Sequence, residues 1–138
     1  RPIYSPYEAE LGSFVAVNKE ADFIGKSAAI QEKSDANKTN ATLRLRTFVV
    51  DTNDADVIGD EPIWFRNGHE KNESYDIKGW VTSGGFAHNS GVSVAMGYVP
   101  KEIADKKQGW AIEILGERFP ATLQTEALFD PKGNIIRA

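Results

Sequence analysis

The sequence contains no cysteine and only two histidines, His69 and His88. Without cysteine the chain can form neither a disulfide nor a thiolate metal site. Structural zinc sites combine cysteine and histidine ligands, and two histidines alone cannot supply such a set. We therefore expect this chain to bind no metal ion.

Long apolar runs and an excess of basic residues are missing as well. No run approaches the roughly 18 apolar residues of a membrane-spanning helix, and no signal-peptide pattern opens the chain. The net charge is −4, and the lysines and arginines are scattered and outnumbered. Electrostatics therefore give no reason to expect nucleic-acid binding. We expect a cytoplasmic protein that contacts neither a membrane nor nucleic acid.

The motifs of common enzyme classes are also missing. The sequence has no phosphate-binding loop, no G-x-G-x-x-G after a strand, no G-x-S-x-G and no H-E-x-x-H. The acidic stretch from Asp51 to Glu61 does not have the spacing of a calcium-binding EF-hand, which favours a solvated loop. Residue types alone therefore identify no catalytic group.

The sequence does contain many short segments with the pattern of β-strands. Residues 11–17 predict a short strand, and residues 23–34 predict a helix with Asp22 as its cap and Gly25 inside it. A polar linker over residues 34–42 follows. From residue 43 onward, six or seven short strands with frequent turn signals predict a mainly β fold, either a closed antiparallel barrel or a sandwich.

Alternation within these strands predicts which side chains are buried. The predicted buried positions are Leu43, Leu45, Ile112, Ile114, Phe119 and Leu123. The three tryptophans also lie in strand patterns, which predicts core packing for Trp64, Trp80 and Trp110. The clearest hairpin turns at Gly116-Glu117, and a further turn is predicted over residues 130–133.

One glycine-rich stretch interrupts the strand pattern. Two apolar arms, residues 80–82 and 92–98, flank a centre that holds Gly84, Gly85 and Gly91 together with Phe86 and His88. Glycine adopts backbone conformations that other residues avoid, which predicts a structured loop over residues 83–90. A histidine can act as an acid, a base or a hydrogen-bond donor near neutral pH. The alternatives are that the glycines form only a turn and bulge, and that the histidine only supports its own loop.

Three passages, in their order along the chain, resemble the aminomethyltransferase family. They are S-P-Y-E-A-E-L-G-S-F-V (5–15), D-F-I-G-K-S-A-A (22–29) and V-T-S-G-G-F-A-H-N-S-G-V-S-V-A-M-G-Y-V-P (81–100). The family includes the T-protein of the glycine cleavage system and the folate-binding half of dimethylglycine and sarcosine dehydrogenases. E-P-I-W (61–64) and E-A-L-F-D-P-K-G-N-I-I-R (126–137) resemble the dehydrogenase branch more closely.

The chain departs from the pattern of that branch at three places. Where G-G-Y-G-H is typical, this chain has Gly85-Phe86-Ala87-His88, so the ring loses its hydroxyl and a glycine is replaced. Ala29 and Ala127 replace the typical residues of G-K-x-A-L and E-P-L-F. These departures leave the amine substrate open.

The resemblance implies a six-stranded antiparallel Greek-key barrel over residues 37–138, preceded by a short strand and one helix. Residues 1–36 would be the tail of an upstream folate-binding region. The chain would be the C-terminal module of a tetrahydrofolate-dependent one-carbon transferase or of a dimethylglycine or sarcosine dehydrogenase-like enzyme. FAD, if present, would belong to an upstream domain. The start at Arg1-Pro2, without an initiator methionine, agrees with a piece of a longer polypeptide.

The resemblance also implies roles for the glycine-rich stretch. The family's catalytic aspartate and principal folate-anchoring residues would lie upstream, so the module would be inactive alone, with His88 as an accessory candidate. The implied partners are the upstream domains of the same chain and a small amine. The alternative is a non-catalytic binding or structural barrel that contacts a protein or RNA. The implied folate-proximal residues are Ser83, Gly84, Gly85, Phe86 and His88.

Overall fold

The computed structural model describes residues 4–36, 42–67 and 74–137. The chain divides into two compact units, Arg1–Leu45 and Arg46–Ala138. Within the described ranges there are one short 3₁₀ helix, one α-helix and six strands. They are the 3₁₀ helix Gly12–Phe14, α1 (Lys26–Ala36), β1 (Leu43–Val50), β2 (Pro62–Asn67), β3 (Ser74–Ala87), β4 (Val92–Pro100), β5 (Trp110–Ile114) and β6 (Glu117–Gln124).

The six strands close into a barrel in the order β1-β4-β3-β2-β5-β6. Antiparallel ladders join β1 with β6, β2 with β3, β2 with β5, β3 with β4 and β5 with β6. β2, β3 and β4 are successive neighbours and β1 lies beside β4, which is the Greek-key order. The predicted barrel is therefore confirmed, and the sandwich alternative is wrong.

All six strands contribute apolar side chains to the barrel core. Fully burying one large aliphatic or aromatic side chain stabilises a fold by about 1.5–3 kcal/mol relative to leaving it exposed. This shared core therefore stabilises the closed sheet together with its hydrogen-bonded ladders. The buried core residues are Phe48, Val50, Val57, Ile63, Val81, Ala95, Val99, Ala104, Trp110, Ile112, Ile114, Ala121 and Leu123.

The predicted burial is confirmed in the last hairpin. Ile112, Ile114 and Leu123 are buried, and Phe119 packs against the core while partly exposed. The turn itself lies one residue earlier than predicted, at Leu115 and Gly116. Because Ile114 pairs with Glu117, two residues remain for the turn.

The predicted burial is wrong in β1, where the opposite face points inward. Phe48 and Val50 are 0% and 3% exposed, whereas Leu43 and Leu45 are only half-buried. Arg46 shares the alternation of Phe48 and Val50. The second half of β1 is apolar at consecutive positions, so alternation there does not distinguish the two faces.

Of the three tryptophans, only Trp110 lies in the core. Its ring packs at tilted angles against Phe48 and Phe65, with centroid separations of 5.1 and 4.6 Å. Aromatic pairs with this geometry contribute beyond their buried area. Trp64 is half-buried and Trp80 is 37% exposed, so core packing is wrong for Trp80.

The first unit contains no strand at residues 11–17, which corrects the prediction. The chain there forms the 3₁₀ helix instead, with Phe14 N donating to Leu11 O at 3.0 Å and Val15 N donating to Gly12 O at 3.2 Å. These hydrogen bonds span three residues and curl the chain too tightly for an extended strand.

The predicted helix is present but begins three residues later, at Lys26. Gly25 has a φ of +86°, a left-handed conformation that an α-helix does not accept, so it precedes the helix and does not lie within it. Asp22 Oδ1 accepts a hydrogen bond from Phe23 N at 2.9 Å, outside the helix.

A predicted boundary and one of the two histidines fall outside the described ranges. The boundary between residues 36 and 37 stays a prediction, because residues 37–41 are not described. His69 lies among residues 68–73, which are likewise not described. The predicted turn over residues 130–133 is confirmed by a hydrogen bond from Gly133 N to Asp130 O at 2.9 Å.

Candidate functional site

The predicted loop over residues 83–90 is mostly strand in the structure. β3 runs to Ala87, and a four-residue turn over residues 88–91 leads into β4. Of the predicted site residues, only His88 lies in this turn. The others lie within β3: Ser83, Gly84, Gly85 and Phe86.

Gly84 pairs with Ala95 in the ladder between β3 and β4, and its surroundings leave no room for a side chain. A Cβ at this position would collide with Val57 Cγ2 and with the carbonyl oxygen of Val94. Val57 is 3% exposed and belongs to the loop between β1 and β2. The glycine therefore permits a close approach of chain segments, which is a common reason for glycine inside a strand.

The ladder between β3 and β4 contains an irregularity that reorients the end of β3. Its register shifts between Val81 and Ser83, as in a β-bulge. At this point the hydroxyl of Thr82 donates to Met96 O at 3.1 Å. Bulges change which face a following side chain occupies, so the bulge sets the direction of the residues that lead to the turn.

Phe86 and His88 form the exposed end of this ribbon. Their rings pack edge to face, with centroids 5.1 Å apart and planes at 74°. Phe86 is 46% exposed, and His88 is exposed. The turn is closed by hydrogen bonds to Ala87 O from Ser90 N at 3.0 Å and from Gly91 N at 2.8 Å. A short, closed turn thus presents an imidazole that can donate, accept or transfer a proton.

A groove of about 310 Å³ lies beside the turn. The turn supplies one wall, from Ala87 to Ser90, and Leu128 and Phe129 supply the other. No sequence pattern assigns a role to these two residues. They follow the last strand by several positions, so no local pattern indicates which part of the barrel they meet.

The acidic loop between β1 and β2 is partly built into the barrel. Ser93, which is 3% exposed, donates its hydroxyl to Asp56 Oδ1 at 2.6 Å. The carboxylate of Glu61 accepts hydrogen bonds from the backbone N–H groups of Ile58 and Gly59, at 2.7 and 2.9 Å. These two carboxylates therefore hold the loop in place through hydrogen bonds. The prediction of a solvated loop did not include these bonds.

Among the residues that the structure describes, no group of three or more His, Cys, Asp or Glu side chains is placed to hold a metal ion. In the same part of the chain, no helix is long and apolar enough to cross a membrane. The chemistry offered by the turn and groove is therefore that of an imidazole, an amide and a hydroxyl beside two apolar side chains.

Residues 44–130 match the family model described as the glycine cleavage T-protein C-terminal barrel domain. This match covers more than half of the chain and all six strands of the barrel except the first residue of β1.

Two curated relatives and one solved structure extend the similarity to most of the chain. Mouse mitochondrial dimethylglycine dehydrogenase is 37% identical over 124 residues, which are 90% of this chain and 13% of that protein. An aminomethyltransferase of Nostoc sp. is 29% identical over 119 residues, 86% of this chain and 28% of that protein. The crystal structure of glycine cleavage system aminomethyltransferase T from Bartonella henselae has a TM-score of 0.67 at 25% identity, covering 94% of this chain and 33% of that one.

Proposed function

The chain belongs to the family of glycine cleavage T-protein C-terminal barrel domains, and we propose that it closes one side of a folate site in a larger enzyme. That enzyme would transfer a one-carbon unit from a small amine to tetrahydrofolate. The observation that carries the proposal is the similarity over 86–94% of this chain to proteins of which it spans only 13–33%. Its partners would then be the other domains of the same polypeptide.

Similarity favours the dehydrogenase branch for the parent enzyme. Identity to the mouse dimethylglycine dehydrogenase is 37%, against 29% for the Nostoc aminomethyltransferase. A parent of this branch would carry FAD in another domain and would oxidise dimethylglycine, sarcosine or a similar amine.

The cytoplasmic location stays a prediction, and the mammalian dimethylglycine dehydrogenases carry the word mitochondrial in their names.

Within this enzyme, the turn after β3 would face the folate and the amine. Phe86 would form an apolar wall, and His88 would act as a polar contact or proton carrier. Functional groups tend to lie on loops that a rigid scaffold positions, and the exposed imidazole lies on such a loop. Ser83, Gly84 and Gly85 would contribute through the backbone of β3, which the bulge directs toward the turn.

The proposal is tested by His88→Ala in the full parent enzyme. A positioned acid–base group typically contributes about 10²–10⁴-fold to a rate, and a lost contact contributes less. We expect methylene-tetrahydrofolate formation to slow at least several-fold, while the melting temperature stays nearly unchanged because the side chain is exposed. Leu115→Ala is the matched control, since Leu115 is 96% exposed on the turn between β5 and β6.

Unchanged turnover for His88→Ala would contradict both the contact and the proton-transfer role. A large fall in melting temperature with a proportionate loss of activity would instead show that the histidine only supports its own turn.

The chain by itself is expected to lack the transfer activity and to bind tetrahydrofolate weakly or not at all. The proposed reason is that the principal anchoring residues and the catalytic aspartate lie in other domains. Isothermal titration of the 138-residue chain with tetrahydrofolate measures this directly. Micromolar affinity would show that the barrel holds a complete site.

A further inference from the structure

The groove beside the β3–β4 turn has two chemically different walls. His88, Asn89 and Ser90 bring an imidazole, an amide and a hydroxyl to one side. Leu128 and Phe129 form the other side, and Phe129 is 51% exposed. Small-molecule sites usually measure about 300–1,000 Å³, so a groove of about 310 Å³ suits part of a ligand. A matching ligand part would have a flat apolar face and a polar edge.

Hydrogen bonds on both sides fix the segment that carries the apolar wall. Before it, Gln124 Nε2 donates to Glu126 O at 2.9 Å. After it, the carboxylate of Asp130 accepts hydrogen bonds from the backbone N–H groups of residues 134–136, at 2.6 to 3.3 Å. The same aspartate begins the turn that Gly133 closes. The two apolar residues are therefore presented by an ordered segment.

We propose that Leu128 and Phe129 form the apolar wall of the ligand site whose polar wall contains His88. They would receive a flat ring of the bound folate and position it against the turn. The identity of the ligand rests on the proposed function, whereas the pairing of the two walls rests on the groove. Both residues act in binding and take no part in proton transfer.

The experiment compares Phe129→Ala and Leu128→Ala in the full parent enzyme with Ile136→Ala. Ile136 lies on the same C-terminal segment, is 85% exposed and does not line the groove. A favourable aromatic contact strengthens binding by about 3- to 10-fold. We expect Phe129→Ala to raise KM for tetrahydrofolate by about that factor with kcat within about twofold, and Ile136→Ala to change neither constant.

Conservative variants separate a binding role from a folding defect. Phe129→Tyr keeps the ring and is expected to restore KM, whereas Phe129→Leu keeps the apolar volume and is expected to restore it only in part. If Phe129→Ala lowers the melting temperature, the comparison of these two variants still decides the question. Equal KM values for Phe129→Tyr and Phe129→Leu would overturn the inference, because a ring contact would then be absent.

A second readout in the 138-residue chain tests the groove without any ligand. Phe129→Leu is expected to shift the backbone amide NMR signals of Asn89 and Ser90, and Ile136→Leu is expected to leave them unchanged. Absence of that shift would overturn the inference by itself.

If His88→Ala slows turnover while Phe129→Ala behaves like Ile136→Ala, the inference fails and the proposed function stands. If His88→Ala has no effect, the proposed function fails and the shared site with it.

Discussion

The two compact units of the chain differ in how they bury apolar side chains. The unit Arg46–Ala138 has a continuous core to which every strand contributes. In the unit Arg1–Leu45, Val17 is the one buried apolar residue among residues 4–34 and 42–45, whose side-chain burial the structure describes. There, Phe14 and Ile24 are 82% and 104% exposed.

This difference indicates that the barrel is stabilised by its own core, whereas the first unit leaves apolar side chains such as Phe14 and Ile24 exposed. Exposed apolar side chains add little to the stability of a fold, because folding does not remove them from water. We therefore expect the core of the barrel to govern unfolding of the chain.

The largest expected effect comes from the matched pair Ile112→Ala and Ile24→Ala. Ile112 is 0% exposed, so its truncation leaves a cavity in the barrel and should lower the free energy of unfolding by about 2–5 kcal/mol. The same truncation at Ile24 should change it by no more than about 0.5 kcal/mol. Urea denaturation of both variants measures the difference. Similar losses for the two would show that the first unit has a core of its own.

A smaller effect is expected where the acidic loop joins the barrel. Asp56→Ala leaves the buried hydroxyl of Ser93 without its acceptor and should cost about 1–3 kcal/mol of unfolding free energy. Ser93→Ala removes the hydroxyl itself and should cost less, about 0.5–1.5 kcal/mol, because Asp56 is exposed and regains water. Thermal or urea unfolding distinguishes the two. The reverse order would show that the loop is not tied to the barrel through this bond.

The smallest expected change in the free energy of unfolding concerns an exposed apolar residue of the barrel, Leu115 in the turn between β5 and β6. Leu115 and Gly116 have φ values of +52° and +86°, which are typical of a type I′ hairpin turn. Asparagine adopts this conformation more readily than leucine, so Leu115→Asn should raise the free energy of unfolding by about 0.5–1 kcal/mol. A loss of stability in denaturation would mean that the leucine side chain has a packing role that its 96% exposure does not indicate.

The fold class could be predicted because alternation and turn residues act locally. β5 and β6 alternate on both sides of a two-residue turn, and their register follows from it. β1 shows where local pattern is insufficient. Arg46 shares the inward alternation because its guanidinium donates to Ala104 O at 3.2 Å and to Asp105 at 2.9 Å, partners 58 and 59 positions away.

The candidate site could be predicted only in part, because local sequence pattern does not show which distant segments meet in the fold. The sequence indicated that Phe86 and His88 belong to one glycine-rich stretch between two apolar arms, although it predicted a loop where Phe86 in fact lies in β3. It did not indicate that Gly84 belongs to a strand, because the reason for a glycine there is the approach of Val57 from another loop and not a turn. Phe129 was missed because only the folded barrel brings the C-terminal segment to the turn.

The most direct test is a structure of the full parent enzyme with bound folate. The central claim is that the turn after β3 faces the ligand. The account predicts that side-chain atoms of His88 or Phe86 lie within about 4.5 Å of the folate or the amine, the distance of direct contact. Both side chains lying more than about 10 Å from either ligand would contradict it, since groups that far apart usually act independently.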